Sequence, residues 1–239
     1  MKTALIAFHG DPETKAKFTS RIRKHQEADA LIQGYGYWRD GKGCAIGCTL
    51  ERNVNDAGET PHSLYPDQLG LPEWLARLED SIFERLPKEA AREWPARLLN
   101  AIAIGQVIGD DIRDRFQIWW LEQNAALLDA EKHAKQLAAI RQVQSLLLEA
   151  VEGTEPSPDA WSAARSAAWS AARSAAGSAA ESAAWSAAVS VSAAVSVTAA
   201  VSAAWSAAIE QADMLISLIE AGAITMTTET GLIPAGDSA

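Results

Sequence analysis

Ser162-Ala-Ala-Arg-Ser-Ala-Ala-Trp-Ser-Ala-Ala-Arg173 begins a run in which the unit Ser-Ala-Ala-Xaa recurs as far as Ile209. After Val189 two units lengthen to six residues, at 190–195 and 196–201, and the four-residue spacing then resumes. Ala has the highest helix propensity, and residues 160–221 contain no Pro. The repeat therefore predicts helices over residues 160–222.

The period of the repeat does not match one face of a helix. Four residues advance a helix by about 400°, so the variable position moves by about 40° with each unit. We expect either a break near Gly177 or in the Val-rich units, giving two helices that fold back, or one helix contacted on several sides. The break is the favoured arrangement. The predicted interaction residues are Trp161, Arg165, Trp169, Arg173, Trp185 and Trp205.

Three other structures compete with helices for the Ala/Ser-rich segment. A disordered linker is disfavoured because the segment contains four Trp residues. Silk-like strands are disfavoured because they need a period of two, whereas this repeat has a period of four. A transmembrane helix is disfavoured by Arg165, Arg173 and Glu181. Helices that contact the rest of the chain or a second copy remain the prediction.

The rest of the chain reads as a mainly helical body. We predict a globular domain at 1–153 with a Gly-rich loop or small hairpin, a linker at 154–159, the repeat helices at 160–222 and an irregular tail at 223–239. Predicted helices in the body include one from Pro12 to about Gln33 with Asp11 as its N-cap, and others at 72–86, 88–104, 110–121 and 124–151.

Charge is unevenly distributed along the 239 residues. Residues 1–150 hold 19 Lys/Arg and 22 Asp/Glu, a net charge of −3, whereas residues 151–239 hold 2 and 9, a net charge of −7. The acidic C-terminal part is a poor match for nucleic acid or an anionic membrane. No signal peptide and no apolar run of about 18 residues is found, so we expect a cytoplasmic protein with reduced Cys44 and Cys48.

Cys44 is the strongest candidate for chemistry, although a weak one. It lies in Gly41-Lys-Gly-Cys-Ala-Ile-Gly-Cys48, where small residues permit close backbone approach by a ligand. A nucleophilic thiol at a helix start needs a base, for which His9, His25 and His62 are candidates. The alternative is a buried thiol in a tight Gly-rich element.

Metal binding and acid–base chemistry have weaker signals. Cys44 and Cys48 have a spacing that zinc sites use, but no His-x3-His accompanies them. The carboxylates Glu79, Asp80 and Glu84 have no Glu-x-x-His partner, and the Asp80–Glu84 spacing is typical of a solvated helix face. We therefore expect no metal and no cofactor.

A basic run marks the first predicted helix. It comprises Lys15, Lys17, Arg21, Arg23 and Lys24. Such a run either binds phosphate or an acidic partner or is simply a solvated helix face.

Three motifs together carry a resemblance. They are Gly41-Lys-Gly-Cys-Ala-Ile-Gly-Cys-Thr-Leu50, Tyr65-Pro66 and Leu69-Gly-Leu-Pro-Glu-Trp-Leu-Ala-Arg-Leu-Glu-Asp80, followed by the Ser-Ala-Ala run. The chain resembles a group of uncharacterised bacterial and phage proteins in which a similar body precedes an Ala/Ser repeat of irregular length. The resemblance covers most of the chain and brings no established activity. It implies an accessory protein of phages or mobile elements, acting on host machinery in the host cell cytoplasm.

We expect a non-enzymatic accessory protein that acts by protein–protein contact, with the repeat as scaffold or self-association surface. Its partner is a host protein or a second copy of the chain, and the resemblance adds inhibition of a host defence system as the setting. One alternative is a Cys-dependent hydrolase or transferase centred on Cys44, and another is an acidic mimic of nucleic acid.

Overall fold

A computed structural model describes residues 4–55, 57–171 and 205–222, and the fold is mainly helical as predicted. Its helices are α1 (Pro12–Glu27), α2 (Ala45–Leu50), α3 (Tyr65–Leu69), α4 (Glu73–Phe83), α5 (Lys88–Ala101), α6 (Asp110–Ala126) and α7 (Ala134–Val151), with 3₁₀ turns at Ala7–Gly10 and Pro61–Leu64. Residues 158–171 and 205–222 are also helical. No helix among these residues is both long and apolar enough to cross a membrane.

Helix α1 begins as predicted and ends early. The Asp11 carboxylate accepts hydrogen bonds from the backbone N–H groups of Glu13 and Thr14, both at 3.0 Å, which caps the helix. The predicted continuation to Gln33 is wrong. Asp29 adopts a left-handed φ of 51°, and Leu31 forms a bridge to Gly43 instead of a further helical turn.

Of the two structures predicted for the Gly-rich segment after α1, a loop or a small hairpin, the hairpin is present. Strands β1 (Trp38–Arg39) and β2 (Lys42–Gly43) pair antiparallel. Asp40 and Gly41 connect them with φ values of 52° and 77°, as a two-residue turn with two positive φ angles requires.

Helix α2 lies in the core, and all six of its residues are buried. It contacts α1, α4 and β2. A Cβ atom added at Gly47 would lie 1.4 Å from the Tyr37 carbonyl oxygen, and one added at Gly43 would lie 1.7 Å from it. The space beside Gly43 and Gly47 is therefore filled by the backbone of Tyr37. The sequence suggested instead that a ligand approaches the backbone there.

The single helix predicted over 124–151 is wrong. Helix α6 ends at Ala126, and α7 begins at Ala134. Between them the Asp129 carboxylate accepts hydrogen bonds from the backbone N–H groups of Glu131 and Lys132, which stabilises a turn. Asp side chains compete with helical hydrogen bonding in this way, and the apolar pattern hides the interruption.

The contacts divide the chain into two compact units, Met1–Ile112 with Ala203–Ala239 and Arg113–Ser202. The predicted boundary at residue 153 does not coincide with this division. In the first unit, helical residues 205–222 bury a row at i, i+4, i+7 and i+11, namely Ala208, Ala212, Leu215 and Ile219. The Gln106 side-chain amide donates to the Ile219 carbonyl at 2.7 Å, so this segment is anchored to the body.

The start of the repeat is helical from residue 158. The Ser157 hydroxyl accepts from the Ala160 N–H at 3.1 Å and acts as the cap, so two residues of the predicted linker belong to the helix. Other predictions lie outside the described residues. These are the break in the repeat, Arg173, Trp185 and the tail at 223–239.

Candidate functional sites

Cys44 lies directly before α2 and is only 3% exposed. Burial raises the pKa of its thiol well above its usual range, and the neighbouring Asp80 carboxylate raises it further. Cys48 is also buried, with its Sγ 3.5 Å and 3.4 Å from the carbonyl oxygens of Ala30 and Gly43, and burial raises its pKa to about 12. Both thiols are therefore protonated at neutral pH.

Of the three candidate bases, the structure links His62 to the surroundings of Cys44. The His62 Nε2 atom lies 3.2 Å from Asp80 Oδ2, and its Nδ1 lies 3.2 Å from Thr60 Oγ1 and 3.5 Å from the Tyr37 hydroxyl. We call Tyr37, Cys44, Thr60, His62 and Asp80 the polar cluster. Asp80 connects the thiol and the imidazole within it.

The other two histidines have different partners. His25 Nε2 lies 3.1 Å from Glu51 Oε1, and its ring contacts Trp38 edge-on at 4.8 Å between centroids. His9 Nε2 lies 3.1 Å from the Asp67 carbonyl oxygen. His25 therefore holds the end of α2 in place beside α1, and His9 is tied to α3.

The polar cluster lacks the electrostatics of a nucleophilic thiol. Such a thiol needs a depressed pKa, supplied by a positive neighbour or a helix N-terminus, and access to substrate. Cys44 does lie at the N-terminus of α2, where the backbone N–H groups of Gly47 and Ile46 lower the pKa of its thiol. Burial and the Asp80 carboxylate raise that pKa by more, and the thiol is enclosed. This geometry favours a structural role for the cluster, in which Asp80 joins α4 to the segment that carries His62.

Glu79 is a buried acid, which the sequence indicates only as one member of the carboxylate group Glu79, Asp80 and Glu84. Its side chain is fully buried, burial raises its pKa to about 8, and the Tyr65 hydroxyl donates to its Oε2 at 2.7 Å. Its Oε1 is buried without a hydrogen-bond partner among the described residues. The signal that could have found it is spacing, since Leu75, Glu79 and Phe83 occupy i, i+4 and i+8 on one apolar stripe.

The solvated face predicted for Asp80 and Glu84 is only half right. Glu84 is exposed and accepts from the Gly34 N–H at 2.8 Å, whereas Asp80 belongs to the polar cluster. Among the described residues, no group of three or more His, Cys, Asp or Glu side chains is arranged to hold a metal ion.

A row of large side chains runs along helical residues 158–171. Trp161, Arg165 and Trp169 follow each other at four-residue spacing, so each lies about 40° further around the helix than the one before. Ala164 and Ala171 mark the buried side. The rotation moves the row away from that side, from the half-buried Trp161 to Trp169, which is 64% exposed. At the other end of the repeat, Trp205 is 47% exposed.

Comparison of the chain with protein-family models, with curated proteins and with solved structures finds no match. Two features bear on the function, the enclosed polar cluster and the exposed tryptophans.

Proposed function

We propose that the chain is a non-enzymatic accessory protein that acts by protein–protein contact, with the Ser-Ala-Ala-Xaa repeat as a self-association surface. The observation that carries the proposal is the 64% exposure of Trp169 on a helix whose other side is buried. Trp is enriched at protein interfaces and is among the residues whose truncation most weakens binding.

A second copy of the chain is a suitable partner because both copies carry the same exposed Trp169. Identical surfaces related by a twofold axis can pair with each other, so the Trp of one copy can contact the same helix of the other. The Ser and Ala positions between them are small, which allows two helices to approach closely. Burial of an indole then supplies an apolar contribution that Ala alone does not.

The alternatives receive less support. A Cys44 enzyme needs a reactive thiol, and burial and Asp80 both hold the Cys44 pKa high. The net charge of −7 over residues 151–239 is the basis for an acidic mimic of nucleic acid, but exposed Trp residues are not what such a mimic needs. Inhibition of a host defence system, with a host protein as a further partner, rests on the resemblance to phage proteins.

Co-purification of two differently tagged copies of the full chain tests the proposal. We expect one copy to retain the other, and W169S with W205S to abolish retention while the circular dichroism spectrum stays unchanged. L127S is a matched control, because Leu127 is 84% exposed but lies outside the repeat. No retention of the wild-type copy, or equal retention by all variants, would contradict the proposal.

A further inference from the structure

The basic run of α1 faces a cleft at the C-terminal end of α2. Two adjoining hollows of about 180 Å³ and 390 Å³ share Lys17, Arg21 and Glu51 in their lining. Lys24 completes the larger hollow, and Arg52 the smaller one. We call these five residues the basic cleft, and four of the five carry positive charge.

Part of this charge has a structural role. The Arg21 guanidinium donates to the Thr49 carbonyl at 2.9 Å, and its Nε lies 3.5 Å from Glu51. The Glu51 carboxylate also contacts His25. Arg21 therefore stabilises the end of α2, where backbone carbonyls carry partial negative charge. Glu51 is already engaged within the chain.

The remaining cations are not neutralised by this arrangement. Among the described residues, no carboxylate lies within ion-pair distance of Lys17, Lys24 or the Arg52 guanidinium. Lys17 and Lys24 are seven residues apart and thus on one side of α1, and all three side chains are exposed. The basic cleft thus has a local excess of three positive charges in a chain whose net charge is −10.

We propose that the basic cleft binds a carboxylate-rich segment of a partner protein. Charge complementarity of this kind accelerates association and selects the partner. The Ser20 hydroxyl and the Gln68 amide, which also line the hollows, offer neutral hydrogen bonds to such a segment. None of the five residues belongs to the repeat sequence, so the cleft would give the protein a second partner in addition to its own copy.

A peptide fits the cleft better than nucleic acid. A nucleic acid carries its charge along an extended backbone and would have to approach a chain whose net charge is −10. The side chains of the basic cleft line two small hollows. A short acidic segment can enter them without bringing a long polyanion to the rest of the surface.

Fluorescence polarisation of a labelled peptide with alternating Glu and Gly tests the proposal on the full chain. We expect binding at about 50 mM salt that weakens strongly at about 300 mM. The variant K17Q/K24Q/R52Q should bind about 10-fold more weakly. The control K132Q/K135Q/R141Q removes the same charge from exposed positions elsewhere and should bind like wild type. The Gln/Gly peptide should not bind.

Several results would overturn the proposal. The first two are no binding of the acidic peptide by the wild-type chain at low salt and equally weakened peptide binding in both triple variants. The third is displacement of the peptide by inorganic phosphate at millimolar concentration. The fourth is that the wild-type chain binds a single-stranded DNA of equal length more tightly than the peptide and that the cleft variant loses this DNA binding. Loss of co-purification of two copies in the cleft variant would instead show that a second copy occupies the cleft, which also overturns it. Loss of self-association through the tryptophans alone leaves the peptide result unaffected.

Discussion

His62 Nε2 lies 3.2 Å from Oδ2 of Asp80, and the same carboxylate borders the Cys44 thiol. The Asp80 carboxylate thus contacts the imidazole and raises the pKa of the thiol, whereas a catalytic Cys–His pair would be in direct hydrogen-bond contact. The arrangement places the three groups that a cysteine enzyme uses near one another, but it stabilises a protonated thiol.

Both thiols should resist alkylation in the folded protein. Burial raises the pKa of Cys44 and Cys48, so little thiolate exists at about pH 8 and neither sulfur is accessible. Iodoacetamide labelling followed by mass spectrometry should give modification only in denaturant. Rapid labelling of folded Cys44 near neutral pH, lost in H62A, would instead support the enzyme alternative.

Glu79 should make the stability of the fold fall as pH rises. Its pKa is about 8 in the folded protein and 4.5 without burial, so its contribution is complete below pH 4.5 and is lost as pH rises toward 8. E79Q keeps the shape of the side chain and cannot ionise. In urea unfolding, the free energy of unfolding of E79Q should rise relative to that of wild type by a few kcal/mol between about pH 5 and about pH 8.

The matched control for this series is E84Q, since Glu84 directly follows α4 and is exposed. We expect the free energy of unfolding of E84Q to follow wild type much more closely over the same pH range. If the free energy of unfolding of E79Q and wild type changed in parallel with pH, Glu79 would not have the raised pKa in the folded protein.

Gly47 should not tolerate a side chain. A Cβ atom there would collide with the Tyr37 carbonyl, and backbone cannot move aside as a flexible side chain can. We expect G47A to lower the free energy of unfolding by about 3 kcal/mol or more. G58A, at a left-handed position with nothing within 4 Å, should cost about 1 kcal/mol through backbone strain alone. Equal costs would refute the close approach of Tyr37 to α2.

Gln106 should hold helical residues 205–222 against the first unit. Its Nε2 donates to the Ile219 carbonyl at 2.7 Å, and its Oε1 accepts from the Ala103 N–H at 2.9 Å. Q106A leaves these buried groups unpaired, at a cost of about 1–3 kcal/mol. Hydrogen exchange over residues 205–222 should accelerate in Q106A and change little in R97A, which removes only the exposed ion pair with Asp213. Unchanged exchange in Q106A would count against this anchor.

Local signals predicted much of the fold. The Asp11 cap, a hairpin in the Gly-rich segment and helices at the two described ends of the repeat depend on neighbouring residues, and each was found. The end of α1 was not predicted, because it is set by the pairing of Leu31 with Gly43 twelve residues further along. The apolar periodicity of α1 does not reveal this pairing.

The surroundings of Cys44 were only partly predictable for the same reason. The Gly residues indicated a close approach, but the approaching group is the Tyr37 carbonyl, which only the folded chain identifies. Among the three candidate histidines, His62 contacts Asp80 and His25 contacts Glu51, and both contacts depend on the tertiary fold. Glu79 was recognisable by its place on an apolar stripe, whereas its raised pKa requires knowledge of its complete burial.

Light scattering of the full chain over about 1 to 100 µM tests the role of the repeat most directly. Self-association predicts a mass that rises above the 25.5 kDa of one chain with concentration. The double variant W169S/W205S should remain at the mass of a single chain throughout. A wild-type mass of 25.5 kDa at every concentration would contradict the proposed self-association surface.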